Sequence, residues 1–291
     1  MLATTFLLCL LLSPRSQTAD GFFRGYSASG AAPSLWTLVL SQVTTWIFAR
    51  SLMTAAILGF YYGIAGALAY AAYCASFITG GKIIDHLRFQ HGKKNIQSFM
   101  REQFGGIGSH CYNLVVVLRL LSEVFSNLLV IALLLEQVFG INDTVIHLLA
   151  MAAVALITAI YSMFGGLRAS IRTDVLQAIL VIAALVMLFM LMLFHPGFSW
   201  GAALSSSPDI TSPGWVLLAV AALQVWSYPL HDPVMMDRGF LADRSVTRQS
   251  FHLSSCISLI CILIFPLLGV FAGSALIAVE LMLHPLSRLF C

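Results

Sequence analysis

The stretch from Leu35 to Gly63 constrains the fold most, because it is long, apolar and interrupted by polar residues near its centre. A helix needs about 20 residues, rising about 1.5 Å each, to cross a bilayer. An arginine in the middle of such a span, as Arg50 would be here, costs from about 2.5 to more than 10 kcal/mol if it meets lipid. We therefore expect this helix to face protein or a water-filled cavity and to line a site.

The composition excludes a soluble globular protein. Of the 291 residues, 59% are hydrophobic and 9% are charged, and the mean hydropathy is +0.93, whereas soluble domains carry about 25% charged residues. The six cysteines are scattered without a CxxC pair, and the sequence contains no Walker loop, dinucleotide fingerprint or G-x-S-x-G elbow. The chain is therefore predicted to be an all-α polytopic membrane protein and not an enzyme.

Seven long apolar stretches are separated by polar or Gly/Pro-rich segments, and each is predicted to be a membrane span. A short apolar run at Met1–Leu12 precedes them and fits either a signal peptide or a truncated helix. Thr173 is predicted to cap the fifth span, and the polar connection after the second span is expected to contain a short surface helix. The seven stretches are 35–63, 63–84, 110–139, 145–164, 173–194, 215–240 and 253–283.

Basic residues predict the orientation in the membrane. If the end of the first short run is cytoplasmic, twelve of the 15 Lys and Arg residues fall in inner segments, as the positive-inside rule requires. These twelve are Arg15, Arg24, Lys82, Arg88, Lys93, Lys94, Arg101, Arg168, Arg172, Arg238, Arg244 and Arg248. A multi-pass protein of the cell (inner or plasma) membrane is therefore expected.

The segment Tyr161–Gln177, YSMFGGLRASIRTDVLQ, resembles the GG-[LF]-x-A-x-x-x-T-D-x-x-Q stretch of the sodium/solute symporter family. That family includes sodium-coupled proline, sugar and urea carriers. Three further stretches are similar to the same family: Arg15-Ser16 to its G-R-S turn, residues 41–66 to its first core helix, and residues 224–245 to its sixth.

The resemblance implies a leucine-transporter-type bundle of two inverted five-helix repeats, with the first and sixth helices broken at mid-membrane. The sequence itself favours such breaks, because polar residues interrupt one of these spans and Pro229 and Pro233 the other. The expected organisation is a partial N-terminal helix and cytoplasmic loop in 1–33, the first repeat in 34–194, and an outer loop with two helices of the second repeat in 195–291. Helices eight to ten of such a fold are expected to lie outside this chain, which would make it truncated at its C-terminus.

The resemblance also implies the site residues. Backbone carbonyls of Thr44 and Ile47 would bind sodium, and Asp174 would lie on its inner exit route, although ordinary helix packing and a helix N-terminal acid are alternatives. The residues expected to contact substrate lie in the broken parts of the first and sixth helices: Thr45, Trp46, Arg50, Ser51, Tyr228, His231 and Asp232.

The charged residues within spans allow two interpretations each. Arg50 is predicted either to bind an anionic group of the substrate or to pair with a buried acid, for which Asp232 is the hypothesis. Arg119, Glu123 and Asn127 recur every four residues and so share a helix face. Arg119 and Glu123 are expected to form a structural ion pair, with an ion path as the alternative.

The predicted function is sodium-coupled symport of a small polar or carboxylate-bearing solute across the plasma membrane, with Na⁺ as coupling ion and no organic cofactor. The expected partners are this solute, Na⁺ and the lipid bilayer, with no nucleic acid. The alternative is a membrane sensor or partner-binding module that does not transport, or an inactive remnant of a symporter.

Overall fold

A computed structural model describes residues 19–27, 29–207 and 209–287; the Met1–Leu12 run and Arg15-Ser16 lie outside them. Every regular element in these residues is helical. Short 3₁₀ turns lie at Tyr73–Ala75, Tyr228–His231 and Arg238–Phe240, and a π-turn lies at Asp85–Gln90. The α-helices are α1 (Ala19–Arg24), α2 (Leu35–Thr44), α3 (Ala49–Ala72), α4 (Ser76–Ile84), α5 (Ile96–Phe139), α6 (Thr144–Leu193), α7 (Trp200–Leu204), α8 (Pro213–Gln224), α9 (Pro233–Asp237) and α10 (Arg244–Ser287).

Three glycines divide the long helices. Gly63 in α3, Gly105 in α5 and Gly166 in α6 have φ of +61°, +69° and +57°, so each joins two helical segments at a kink. These conformations are essentially restricted to glycine. The predicted boundaries at Gly63 and before the fifth span are thereby confirmed, as is the short helix before Gly105.

The predicted cap at Thr173 is wrong. The helix resumes directly after Gly166, because the positive φ of this glycine already changes the chain direction. Thr173 lies inside α6, where its hydroxyl donates to the carbonyl of Ser170 at 2.9 Å. This back-bond satisfies the hydroxyl within the helix, so it does not act as a cap.

By length and composition, four helical segments can cross a membrane, which confirms an all-helical membrane protein. They are Ala49–Gln90, Ile96–Phe139, Ser162–Leu193 and Arg244–Ala275, and three shorter apolar helices accompany them: Leu35–Thr44, Thr144–Ile160 and Pro213–Gln224. The total of seven spans and the inverted-repeat arrangement remain predictions.

Two interruptions occur where the sequence favours them. The backbone leaves helical geometry between the end of α2 at Thr44 and the start of α3 at Ala49, and again between the end of α8 at Gln224 and Pro233. The second interruption contains Pro229 and ends at Pro233, and neither of these prolines can donate a backbone hydrogen bond. The rings of Trp46 and Tyr228, one from each interruption, lie 4.9 Å apart between centroids, so the two breaks are adjacent in space.

Glycines bring α3 and α10 into close contact along their length. A Cβ atom on Gly59 would collide with the carbonyl of Pro266, and one on Gly269 would collide with the carbonyl of Ala56. Small residues allow such close packing between membrane helices, where van der Waals contact is the main attraction. This helix pair forms the scaffold against which the two breaks are packed.

The loop after α7 caps the reversal at Gly63. The Ser206 hydroxyl accepts from the N–H of Ile64 at 2.8 Å, and the Ser207 hydroxyl accepts from that of Ala65 at 3.2 Å and donates to the carbonyl of Tyr62 at 2.5 Å. Backbone groups that the reversal would leave unpaired are therefore satisfied by a loop distant in sequence.

The predicted inner cations gather at one region of the molecule. Ten of the twelve line three cavities: Arg24, Arg88, Lys93, Lys94 and Arg238 in one, Lys82, Arg244 and Arg248 in the second, and Arg168 and Arg172 in the third. Arg88 connects the first two cavities, because it donates to the carbonyls of Gly239 and Ala242, just before α10. This clustering agrees with the orientation predicted from the positive-inside rule.

We expect Gly63→Ala to destabilise the protein by roughly 2–3 kcal/mol and to lower Tm by roughly 5–10 °C. A Cβ there would add strain at positive φ and would lie 2.5 Å from the Ser207 hydroxyl oxygen. Gly106→Ala is the matched control, because that glycine has no positive φ and a Cβ would meet no atom within 4 Å. Thermal unfolding in detergent measures both; equal Tm values for the two variants would contradict the assigned role of Gly63.

Candidate functional site

A cavity of about 360 Å³ lies where the interruption between α2 and α3 and the interruption between α8 and α9 meet α5. Its walls combine aromatic rings with charged and hydrogen-bonding groups, as small-molecule sites do. The lining residues are Trp46, Phe48, Arg50, Ser51, Thr54, Tyr70, Tyr73, Arg119, Glu123, Gln224, Ser227, Tyr228 and His231.

Arg119 is the centre of the polar contacts at this cavity. Its Nη2 atom donates to the Tyr228 hydroxyl at 2.6 Å and to Glu123 Oε1 at 2.8 Å, and it lies 3.5 Å from Asp232 Oδ2. The guanidinium carbon is also 4.7 Å from the centroid of the Tyr228 ring. One partly buried cation therefore pairs with two acids and fixes a tyrosine of the second interruption.

The polar face of α5 contacts both interruptions. Asn127 Oδ1 accepts from the backbone N–H of Arg50 at 3.3 Å, near the start of α3. Eight residues earlier on the same helix, Arg119 contacts Tyr228 and Asp232, and the Tyr112 hydroxyl donates to the carbonyl of Leu230 at 2.8 Å. The sequence predicted a structural ion pair on this face of α5. The same face also joins the two interruptions to each other.

Aromatic rings close one side of the cavity. The Trp46 ring lies 5.9 Å from that of Phe77 and 6.3 Å from that of Tyr73, and Tyr73 lies 5.9 Å from Tyr228. The Tyr73 hydroxyl also donates to Gln224 Oε1, at the end of α8. Phe77 continues into a buried cluster with Met235, Met236 and Phe251, so this wall rests on the core.

Five of the seven predicted substrate residues line the cavity: Trp46, Arg50, Ser51, Tyr228 and His231. Thr45 does not, and its hydroxyl donates to the carbonyl of Gln42 at 2.7 Å. Asp232 lies behind the wall, 3% exposed, where Oδ1 accepts from the N–H of Met235 at 3.0 Å and caps α9. Their roles in binding stay predictions.

The hypothesis of an ion pair between Arg50 and Asp232 is wrong. Asp232 faces Arg119, and among the described residues no carboxylate lies within 4.0 Å of the Arg50 side chain. The reason is geometric. Asp232 caps α9 behind the cavity wall and contacts Arg119 of α5, whereas Arg50 lines the cavity itself.

The predicted sodium residues fall into two places. No hydrogen bond within the described residues uses the carbonyl oxygens of Thr44 and Ile47, which lie in the first interruption. Asp174 contacts α2 one turn before Thr44: its Oδ2 accepts from Ser41 at 2.6 Å and from Arg238 at 2.8 Å, with Arg238 only 4% exposed. A buried arginine therefore already pairs with this acid, and no hydrogen bond among the described residues joins it directly to Thr44 or Ile47.

Sequence reasoning missed Tyr73 and Gln224 as cavity residues, and it gave Arg119 and Glu123 a structural pairing with an ion path as the alternative. The spacing of Arg119, Glu123 and Asn127 did carry a signal, because an uninterrupted polar row in an apolar span must face something polar. Tyr73 and Gln224 carry no such signal, since single aromatic or amide residues are common near helix ends.

The model of the sodium:solute symporter family matches residues 26–237, which is more than half of the chain. The probable urea active transporter 1 of Schizosaccharomyces pombe is 25% identical over 179 residues, covering 59% of this chain and 24% of that protein. The urea active transporter of Saccharomyces cerevisiae is 24% identical over 196 residues, covering 65% and 25%.

The chain spans about a quarter of the length of these two relatives. The match of the family model nevertheless includes both helix interruptions, the polar face of α5 and the segment around Gly166. The chain belongs to the sodium:solute symporter family.

Proposed function

We propose that this protein takes part in sodium-coupled uptake of a small polar solute across the plasma membrane, and that the solute binds in the cavity between the two interruptions. The observation that carries the proposal is the meeting of two broken helices at a polar cavity. Interrupted helices at mid-membrane are where secondary transporters bind substrate and ion.

The charges around the cavity favour a solute without net charge. The formal charges of Arg50, Arg119, Glu123 and Asp232 sum to zero, so the net charge of an added anion or cation would not be compensated. A small amide meets this requirement, because its carbonyl accepts from a guanidinium and its N–H groups donate to Glu123. Urea has this chemistry and agrees with the names of the two relatives; a zwitterion, with its carboxylate on Arg50, is the second class.

Two buried donors support a bound state that differs from this conformation. Trp46 Nε1 and Arg119 Nε have no hydrogen-bond partner among the described residues, although both side chains line the cavity. An unsatisfied buried donor costs about 1–3 kcal/mol. Solute entry accompanied by a small shift of these side chains would supply the missing acceptors, and so would favour the closed, loaded state.

The unpaired carbonyls of the first interruption support sodium as the coupling ion. Sodium prefers oxygen ligands, and carbonyls released from a helix provide them without adding charge. We propose that Thr44 and Ile47 contribute such carbonyls, and that Asp174 acts through its contact with Arg238 rather than as a direct ligand. The membrane potential would drive entry of the ion with about 2.3 kcal/mol per charge per 100 mV.

Replacing Arg50 tests the solute site. We expect Arg50→Gln to raise the KM of urea uptake roughly 10- to 100-fold, because a charged hydrogen bond contributes about 1.5–3 kcal/mol. Uptake of radiolabelled urea into proteoliposomes gives KM, with exposed Arg101→Gln as the charge-matched control. An unchanged KM for urea and for zwitterionic solutes would remove Arg50 from the site.

Replacing Arg119 separates positioning from charge neutralisation. Arg119→Gln leaves two acids without their cation, and we expect uptake to fall at least about 100-fold. The double variant Arg119→Gln with Glu123→Gln removes one acid as well, yet should stay impaired, because Tyr228 still loses its partner. Tm measurements identify misfolded variants, and full recovery of uptake in a folded double variant would reduce Arg119 to a neutralising charge.

Changing the external cation tests coupling. We expect uptake under an inward Na⁺ gradient to exceed uptake with choline by roughly 10-fold or more, and an inside-negative potential to increase it further. Uptake that is equal with both cations would reject sodium coupling. Solute binding without uptake under any gradient would instead favour the sensor or partner-binding interpretation.

A further inference from the structure

A second cavity, of about 1050 Å³, opens between α4 with its π-turn and the first turns of α10. It shares no lining residue with the solute cavity. Its two walls are fastened by Arg244, whose Nε and Nη2 atoms donate to the two carboxylate oxygens of Asp85 at 2.6 and 2.7 Å. This bidentate contact fixes the width of the groove between the two helices.

The groove changes from apolar to cationic along its length. On α4, Ile78 is 37% exposed and is followed one turn later by exposed Lys82. On α10, exposed Arg248 and His252 line the groove, and Leu259, which is 40% exposed, lies on the same helix face two turns beyond the lining. Asp85 contacts Arg244 and Gly81 lies against Phe251, so the two helices run in opposite directions and the apolar Ile78 and Leu259 lie toward the same end.

Two of the cations in this groove have no acidic partner. Asp85 is engaged by Arg244, and Asp243 also lines the groove, but no carboxylate lies within 4.0 Å of Lys82 or Arg248 among the described residues. Lys82 Nζ lies 5.7 Å from the ring centroid of Trp226, which is 61% exposed. Three cations and two acids give the groove a net positive charge, and two of the cations are exposed without an ion pair, beside an aromatic residue of the type found at membrane interfaces.

The groove lies on the side of the protein that carries the other inner cations. Arg244 directly follows the segment that Arg88 holds, and the positive-inside rule assigns this side to the cytoplasm. Anionic phospholipids are concentrated in the cytoplasmic leaflet, and basic pockets between membrane helices bind their headgroups. A soluble phosphate would match the cations but would leave the exposed Ile78 and Leu259 uncovered.

We propose that this groove binds one anionic phospholipid of the cytoplasmic leaflet, with its phosphate at Lys82 and Arg248 and an acyl chain along Ile78 and Leu259. The site is separate from solute binding and does not depend on the transport proposal. It requires only that the helices cross a membrane with their basic ends in the cytoplasm.

The test compares lipid retention by the intact chain and two double variants. The protein is reconstituted in nanodiscs of phosphatidylcholine with 20% phosphatidylserine, and retained lipid is counted by native mass spectrometry after transfer to detergent. We expect one retained phosphatidylserine for the unchanged protein. Lys82→Gln with Arg248→Gln should reduce its occupancy roughly 10- to 30-fold, because each basic residue near the surface contributes to anionic lipid binding.

The matched control is Lys94→Gln with Arg101→Gln, which removes two exposed charges from the same side but outside this groove; it should retain phosphatidylserine. The charge-preserving pair Lys82→Arg with Arg248→Lys should also retain it. Equal loss in both neutralised variants would reduce the site to general surface attraction. Equal retention of phosphatidylcholine, or displacement of the lipid by millimolar inorganic phosphate, would also overturn the proposal.

Discussion

The contact of Arg119 with Tyr228 and Asp232 is the interaction on which the arrangement of the site depends. A charge within a membrane helix is stable only with a partner, and here one arginine on α5 satisfies two acids and a phenol. Because Asp232 caps α9 and contacts Arg119, this cation attaches α9 to α5. The cavity wall therefore depends on an ion pair rather than on continuous helix.

The interruptions are stable only because neighbouring side chains form hydrogen bonds with the backbone groups around them. In lipid, an unpaired N–H or C=O costs several kcal/mol, so broken helices must be enclosed by protein or water. Here Asn127 accepts from Arg50, Tyr112 donates to Leu230, and Trp46 and Tyr228 pack between the two breaks. Among the described residues, the carbonyls from Thr44 to Ile47 accept no hydrogen bond, so this interruption offers oxygen ligands that an ion could use.

The sequence predicted local features well and long-range pairings poorly. Glycine pairs and prolines marked the reversal at Gly166 and the interruption at Pro229–Pro233, because these residues act on their own backbone. The pairing of Asp232 with Arg119, and not with Arg50, depends on how three helices pack, which no local pattern encodes. Thr173 was misassigned because a good cap residue can also bond within a helix. Five of the seven predicted substrate residues still line one cavity, since motif similarity carries tertiary information that periodicity lacks.

The serine cap on Gly63 ties together two segments that are distant in sequence. Ser206 and Ser207 join the hairpin of the first two spans to the loop entering α8, and Trp215 Nε1 donates to the Ser207 carbonyl at 3.3 Å. Gly214 at the start of α8 also lies against Gly66 without room for a side chain. Any shift of α3 relative to α8 would therefore break these hydrogen bonds and this close backbone contact together.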